Sequence, residues 1–334
     1  MQKILIIQTA FIGDVVLATG VLEKMHQYNP VAQIDFLVRK GNEALFANHP
    51  FLNKVLVWHK KESKYKYLFQ LLSTIRHTKY DIVINLQRFA ATGFLTAFSK
   101  AHITIGFDKN PFSFLFSKKI THVFTGSAGK PLHEIERNHL LIESLTDAFA
   151  AKPRLYPSLA DETFVKPYQQ QTYICIAPAS VWFTKQFPVE KWISFIHQIP
   201  HDCNVYLIGG PTDAVLCDSI TAASLHPAIK SLAGKLSFLQ SAALQKGAKM
   251  NYVNDSAPMH FASSVNASTT AVYCSTIPGF GYGPLSDNSF IVETPVPLPC
   301  RPCGIHGKKA CPLGHFKCAN NIMNEQLLLT IASN

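Results

Sequence analysis

The run Met250-Asn-Tyr-Val-Asn254 passes directly into Asp255-Ser256-Ala257-Pro258-Met259-His260. An apolar strand that ends in a polar turn and re-enters a helix is the repeating unit of an open α/β sheet. Such sheets bind ligands beyond the carboxyl ends of their strands. Two further polar motifs stand at the ends of apolar runs. Gly13-Asp14 follows Lys3–Gln8, and a loop from Ala177 to Pro188, containing Lys185, follows Tyr173–Ala177. Three such motifs, widely separated, predict two open α/β domains facing one another across a cleft.

The alternation on either side supports this. In the first half, residues 34–38, 55–58, 81–86 and 103–105 read as strands. Helical spacing is found after Gly13 and over 41–47, 67–78 and 92–100. The continuous apolar run at 81–86 predicts a strand buried on both faces of a parallel sheet. Residues 134–150 read as one long helix. The proline-punctuated stretch between Lys152 and Pro167 reads as a linker, which sets the expected domains at 1–165 and 166–334. The pattern then restarts, with strands at 173–177, 205–208, 230–232, 250–254 and 269–274. The helices expected there are 190–198, 213–223, 236–245, 259–264 and 326–332.

At 334 residues and 47% hydrophobic, the chain can build two sizeable cores. No apolar run approaches the roughly 20 residues that span a bilayer. The apolar stretch at Lys3–Ile7 is too short for a signal peptide, so a cytoplasmic location is expected. The net charge of +10 favours anionic partners: nucleic acid, phosphorylated substrates or an acidic membrane face. A solvated basic surface explains the same number. Of eight cysteines, Cys175, Cys203, Cys217 and Cys274 lie singly in apolar runs and read as small buried side chains.

Each motif has a chemical reading beside a plain one. Asp14 stands at a strand-to-helix turn, where a carboxylate can take a proton from a hydroxyl or simply cap the helix. In Ala177–Pro188, backbone N–H groups, the Ser180 hydroxyl and the Lys185 ammonium can together hold a diphosphate; an ordinary loop is the competing reading. Gly209-Gly210-Pro211-Thr212-Asp213 lets a nucleoside approach the backbone, with Asp213 facing a ribose or base or else capping the next helix. Asp255 and Ser256 end a strand, Pro258 suits a first helical position, and the turn's amides then point at an anion within reach of His260.

Taken in order, these segments resemble glycosyltransferase family 9, the lipopolysaccharide heptosyltransferases. The shared features are the early Gly-Asp, the small-residue loop with Lys185, Pro188 and Trp192, the Gly-Gly strand end, Leu232–Lys235, and the Asp-Ser-x-x-Met-His turn. The resemblance covers roughly residues 3 to 325. It implies a GT-B type fold of two doubly wound Rossmann-like domains. It further implies transfer of a heptose from ADP-heptose to the inner core of lipopolysaccharide, with inversion and with no required metal or other cofactor. Residue by residue, it implies Asp14 as general base, Ser180 and Lys185 at the donor phosphates, and Asp213 as an acidic donor contact. Asp255, Ser256 and His260 match the donor-binding turn. Arg88 and Arg137, in segments resembling the acceptor side, would meet acceptor carboxylates or phosphates through the guanidinium fork. The sequence departs from the family at Ala257 (a glycine in the usual turn), at Gly20 (commonly proline) and at Val181 (a position that can be a second hydroxyl).

Cys300, Cys303, Cys311 and Cys318 lie in a Pro- and Gly-rich segment. A structural zinc site of four thiolates is one reading, although the second pair lacks the usual close spacing. A structural loop is the other. Gly126–Pro131 has the wrong spacing for a phosphate-binding P-loop, and Gly279–Pro284 runs into proline rather than a helix. Lys60, Lys61, Lys64 and Lys66 interleave with Tyr65, Tyr67 and Phe69, while Phe112, Phe114 and Phe116 precede Lys118 and Lys119. This composition suits peripheral contact with an anionic inner membrane as well as it suits a solvated helix over buried aromatics. The expected partners are a nucleotide-sugar donor and a lipid-linked acceptor, and not nucleic acid. The rival readings are another sugar-nucleotide enzyme of the same fold, such as an epimerase, and a basic nucleic-acid-binding protein.

Overall fold

A computed structural model describes the chain except for Lys61, Ser127, Ala128, Ser333, Asn334 and the side chain of Ala332. Lys61 of the proposed membrane face, and two residues of the rejected P-loop-like stretch, therefore lie outside the described residues. The chain divides into two compact units, Met1–Tyr156 and Pro157–Asn334.

The first unit runs β1 (Lys3–Ile7), α1 (Ile12–Tyr28), β2 (Gln33–Arg39), β3 (Leu52–Trp58), α2 (Lys64–Thr78), β4 (Ile82–Asn85), α3 (Ala90–Ala97), β5 (Ile103–Phe107), β6 (Lys118–Ile120) and α4 (Glu134–His139). Its strands form one parallel sheet in the order β3-β2-β1-β4-β5-β6. β1 and β4 are apolar almost throughout because both faces are covered: Ile4 to Ile7 and Val83 and Ile84 are fully buried. The strand order reverses between β1 and β4, so the loops after these two strands diverge and open a crevice. Asp14 follows the first and Arg88 the second.

The second unit runs α5 (Leu159–Val165), β7 (Tyr173–Ala177), α6 (Val189–Ile196), β8 (Asn204–Leu207), α7 (Ala214–Ala223), β9 (Ile229–Ser231), α8 (Phe238–Gly247), β10 (Met250–Asn254), α9 (Ala257–Ser264), β11 (Thr269–Tyr273), β12 (Ser289–Glu293), α10 (Lys317–Asn320) and α11 (Asn324–Ala332). The parallel sheet has the order β12-β11-β10-β7-β8-β9. Its reversal lies between β7 and β10, so the Lys185 loop and the Asp255 turn flank the second switch point.

Three expectations are corrected. The long helix over 134–150 stops at His139, because Asp147 is pulled toward α1 by Lys24 (Nζ–Oδ1 2.7 Å) and by a hydrogen bond from Tyr28. These tertiary contacts outweigh helix propensity. The 152–167 linker contains α5, which is started by a capping box in which Ser158 and Asp161 satisfy each other's backbone N–H groups. Val165 of α5 is buried with Ala243 and Leu244 of α8, which moves the division from 165/166 to 156/157. The helix expected at 41–47 is a single 3₁₀ turn, Glu43–Phe46. The edge strands β6 and β12 escaped the sequence reading. Gly20, a departure from the family pattern, has a direct steric reason: a Cβ there would stand 2.5 Å from the Ala151 carbonyl oxygen. Among the described residues no helix is long and apolar enough to cross a membrane.

Candidate active site

In the first unit, Phe11 caps α1 in an extended conformation without lending a side-chain hydrogen bond. Asp14 therefore lies inside the first turn and does not act as the cap. It is half-buried, and its pKa is pushed up from 3.8 to about 6. Burial is the main cause and the Glu134 carboxylate the second. Hydrogen bonding to the backbone at Asp14 and Phe11, and the charge of Arg39, pull the other way. The result is a carboxylate that is ionised near neutrality yet more basic than a free aspartate.

Glu134, at the start of α4, is held by Arg137 (Nε–Oε2 2.8 Å, Nη2–Oε2 2.6 Å). Arg137 is 2% exposed, donates to the Leu132 carbonyl at 2.6 Å and lies 5.3 Å from the Phe124 ring centre. The structure thus places this expected acceptor ligand inside the fold, with its fork on Glu134. Arg88, by contrast, is exposed and makes no ion pair with a described residue. Together with burial, Arg88 and Arg137 hold the His122 imidazole down to about 4, so it is neutral at physiological pH.

Two cations on β1's side of the sheet were not singled out from sequence as site residues, and one of them interacts with Asp14. Arg39, the last residue of β2, lies 4.7 Å from the Phe11 ring centre and feels the Asp14 charge. Lys60 donates to the Thr9 carbonyl at 2.7 Å and lies 4.8 Å from the Trp58 ring centre. Burial first, then Arg39 and Lys64, lower its pKa to about 8. Lys60 thus reaches back to the loop after β1, while Lys64 of the same basic segment stays close enough to lower its pKa. The usable signal was position: both residues lie at the carboxyl ends of strands on β1's side of the sheet.

In the second unit, Lys185 Nζ and Asp255 Oδ2 are 2.6 Å apart, with side chains only 14% and 8% exposed. Thr276 donates to the same Asp255 oxygen at 2.7 Å. Asn254 links the strand ends: its Nδ2 donates to the Pro178 carbonyl at 2.8 Å, and its Oδ1 accepts the Phe187 N–H at 3.0 Å. Neither Asn254 nor Thr276 was singled out from sequence as a site residue. Ser180 is half-exposed, and its hydroxyl makes no hydrogen bond with a described residue. Ser256 caps α9 without a side-chain hydrogen bond to the helix, so the first-turn amides lack a side-chain cap. Ala257 is the first helical residue, which explains why this turn tolerates a residue other than glycine. His260 is buried one turn further on, 6.5 Å between ring centres from Tyr282. Asp213 accepts the Gly210 N–H at 2.8 Å and so shapes the Gly209–Asp213 turn, leaving its other oxygen to a long contact with Thr212.

Each unit is a doubly wound sheet with polar groups at its switch point: a carboxylate of raised pKa in one, and a lysine–aspartate pair beside a helix start without a side-chain cap in the other, the arrangement expected of a GT-B glycosyltransferase. The chain belongs to glycosyltransferase family 9 (heptosyltransferase), whose model matches residues 68–313. It is 25% identical over 280 residues to lipopolysaccharide heptosyltransferase 3 of Escherichia coli, covering 80% of this chain and 82% of that one. Among solved structures, it resembles a family 9 glycosyltransferase from Veillonella parvula (TM-score 0.85, 21% identity, 100% and 98% covered). It also resembles the E. coli ADP-heptose lipopolysaccharide heptosyltransferase II (TM-score 0.80, 19% identity, 99% and 98% covered).

Proposed function

We propose that this glycosyltransferase moves a heptose from ADP-heptose to a lipid-linked, anionic acceptor in the inner core of lipopolysaccharide, with inversion and without a metal. The observation that carries the reading is Asp14, a carboxylate at the first switch point whose basicity is raised toward neutrality. Asp14 takes the proton of the acceptor hydroxyl as that oxygen attacks the anomeric carbon. The bond from that carbon to the diphosphate oxygen breaks on the opposite face, and ADP departs with the electron pair. A single displacement of this kind requires one base and no covalent sugar intermediate.

Charge developing on the diphosphate is met by Lys185, the Ser180 and Ser256 hydroxyls and the first amides of α9, the role a metal fills in other transferases. Asp255 keeps the lysine in place. Arg39, Lys60 and Arg88 give the crevice in the first unit a cationic rim suited to acceptor phosphates or carboxylates. The name of the E. coli relative supports ADP-heptose as donor. The exposed Phe114 and Leu115, shortly before the exposed Lys118 and Lys119, support contact with the cytoplasmic face of an anionic membrane.

Calorimetry with ADP, UDP and GDP tests the donor assignment. ADP should bind selectively, and Lys185→Ala should weaken it about 10- to 100-fold, the loss of one or two charge-assisted contacts. Equal affinity for all three nucleotides, or no change in the variant, would remove the assignment.

A further inference from the structure

The segment Cys300–Cys318 has little regular structure and carries the four cysteines. Among the described residues no three His, Cys, Asp or Glu side chains form a group able to hold a metal. The segment instead packs directly behind Lys185. Thr184 is fully buried and its hydrogen bonds run to two places. Its N–H donates to the Lys308 carbonyl at 3.1 Å, and its carbonyl accepts the Ser275 N–H at 3.2 Å. Its hydroxyl oxygen accepts the Lys308 N–H at 2.8 Å and the Ser275 hydroxyl at 2.9 Å. Gly307, at φ +74°, lies against the neighbouring lysine: a Cβ there would stand 2.9 Å from Lys185 Cγ, 3.2 Å from its Cδ and 3.1 Å from the Thr184 hydroxyl oxygen. The aliphatic stem of Lys185 thus lies on a stretch of bare backbone.

The other half of the ion pair is fixed by the same segment. Arg301 donates to the carbonyls of Cys274 and Thr276, each at 2.7 Å, and Cys303 N–H donates to the Ser275 carbonyl at 2.9 Å. This pins the strand end from which Thr276 reaches Asp255. Residues 301–308 therefore set the position of both Lys185 and the carboxylate that orients it.

We propose that Thr184 and Gly307 are positioning residues for Lys185, and that the cysteine-rich segment forms the rear wall of the diphosphate site. This rests on the reading of Lys185 as the ligand of the donor phosphates. A long, flexible ammonium side chain loses much rotamer freedom when it is fixed on an anion. A bare-backbone floor and a bonded neighbour place that loss in folding and remove it from binding.

The test is ADP and adenosine binding by calorimetry on the full chain, for wild type, Lys185→Ala, Thr184→Val, Thr184→Ser, Gly307→Ala and the double variant Thr184→Val/Lys185→Ala, with a thermal melt for each. Thr184→Val should weaken ADP about tenfold through two lost hydrogen bonds, Thr184→Ser should restore it, and Gly307→Ala should weaken it comparably. The double variant should bind ADP no more weakly than Lys185→Ala alone, because the effect passes through the lysine. Adenosine, which has no phosphate, should bind all the variants alike. Wild-type ADP affinity in Thr184→Val and Gly307→Ala, additive loss in the double variant, or parallel loss of adenosine would overturn the proposal. An unchanged Lys185→Ala would instead sink the reading of Lys185 itself. Should Thr184→Val fail to fold, Gly307→Ala and its double variant with Lys185→Ala are judged by the same criteria.

Discussion

Asp14 binds its proton more tightly in the folded chain (about 6) than in the unfolded one (3.8). Its ionised form therefore opposes folding, and the penalty grows as pH rises from about 4 through 6 and then levels off. Asp14→Asn should accordingly stabilise the fold at pH 8 by up to about 3 kcal/mol, less what residual solvent exposure screens, and should do almost nothing at pH 4. The same change should cut turnover by about a thousandfold while leaving ADP affinity intact. Urea melts at the two pH values and single-turnover assays check both parts; a variant less stable at pH 8, or still active, would count against Asp14 as base. Glu134 supplies the second-largest upward push. Glu134→Gln keeps an acceptor for Arg137 but removes the negative charge that raises the Asp14 pKa, which favours ionised Asp14. The acid limb of kcat/KM, expected near pH 6 in wild type, should move to lower pH. A limb that stays in place would mean another group titrates there.

At the scale of elements, α3 is seated by a close approach. A Cβ on Gly93 would lie 1.9 Å from Asn110 Oδ1, and Asn110 in turn donates to the carbonyls of Gln87 (3.0 Å) and Phe89 (3.1 Å). Gly93→Ala gains about 1 kcal/mol of helix propensity but displaces a buried amide with three partners, the third being the Phe112 N–H that donates to Oδ1 at 3.0 Å. We expect a net loss of about 2 kcal/mol in chemical denaturation. A variant as stable as wild type would show that Asn110 can move freely. Elements of this kind also mark where the sequence was legible. Strands buried on both faces, such as Ile82–Asn85 and Met250–Asn254, declare themselves as unbroken apolar runs. The turns after them carry Asp14, Lys185 and Asp255 at recognisable positions. Edge strands do not: Ser289–Glu293 and Lys118–Ile120 are half-exposed and mixed in composition. The end of α4 at His139 is decided by Lys24, more than a hundred residues earlier, and no local pattern contains that. The Ser158–Asp161 capping box was present in the sequence and was obscured by the surrounding prolines. Arg137 and Arg88 look alike in sequence, and only packing makes one an internal brace and the other an exposed cation.

At the scale of the whole molecule, both units have the same order of strands, with the first-formed strand of each next to the reversal. The repeated architecture explains why chemistry appears twice at equivalent places in a chain without evident internal sequence repetition. It also frees the outer faces for other tasks. Phe69, Phe94, Phe98 and Phe112 touch edge-on or tilted, at 5.0–6.2 Å between ring centres. Phe69 and Phe98 of this cluster are exposed, as are Phe114 and Leu115, which follow Phe112 in the chain. We expect co-sedimentation with vesicles containing phosphatidylglycerol but not with pure phosphatidylcholine, weakened by salt and reduced several-fold by Phe114→Asp, a loss of the size expected from burying one aromatic side chain. Binding that ignores lipid charge would exclude this face as an anionic-membrane contact.

The dependence of Thr184 on Lys308, 124 positions further along the chain, has a consequence for synthesis. The first unit draws its sheet partners from residues made within its own span, so it can complete its sheet on the ribosome while the rest is still being translated. The second cannot finish in this way. Its lysine loop emerges early and must wait, without its rear wall, until more than a hundred later residues have been added. A chain interrupted between the two positions would carry a finished first sheet and a second unit whose lysine loop still lacks its partners from 301–308.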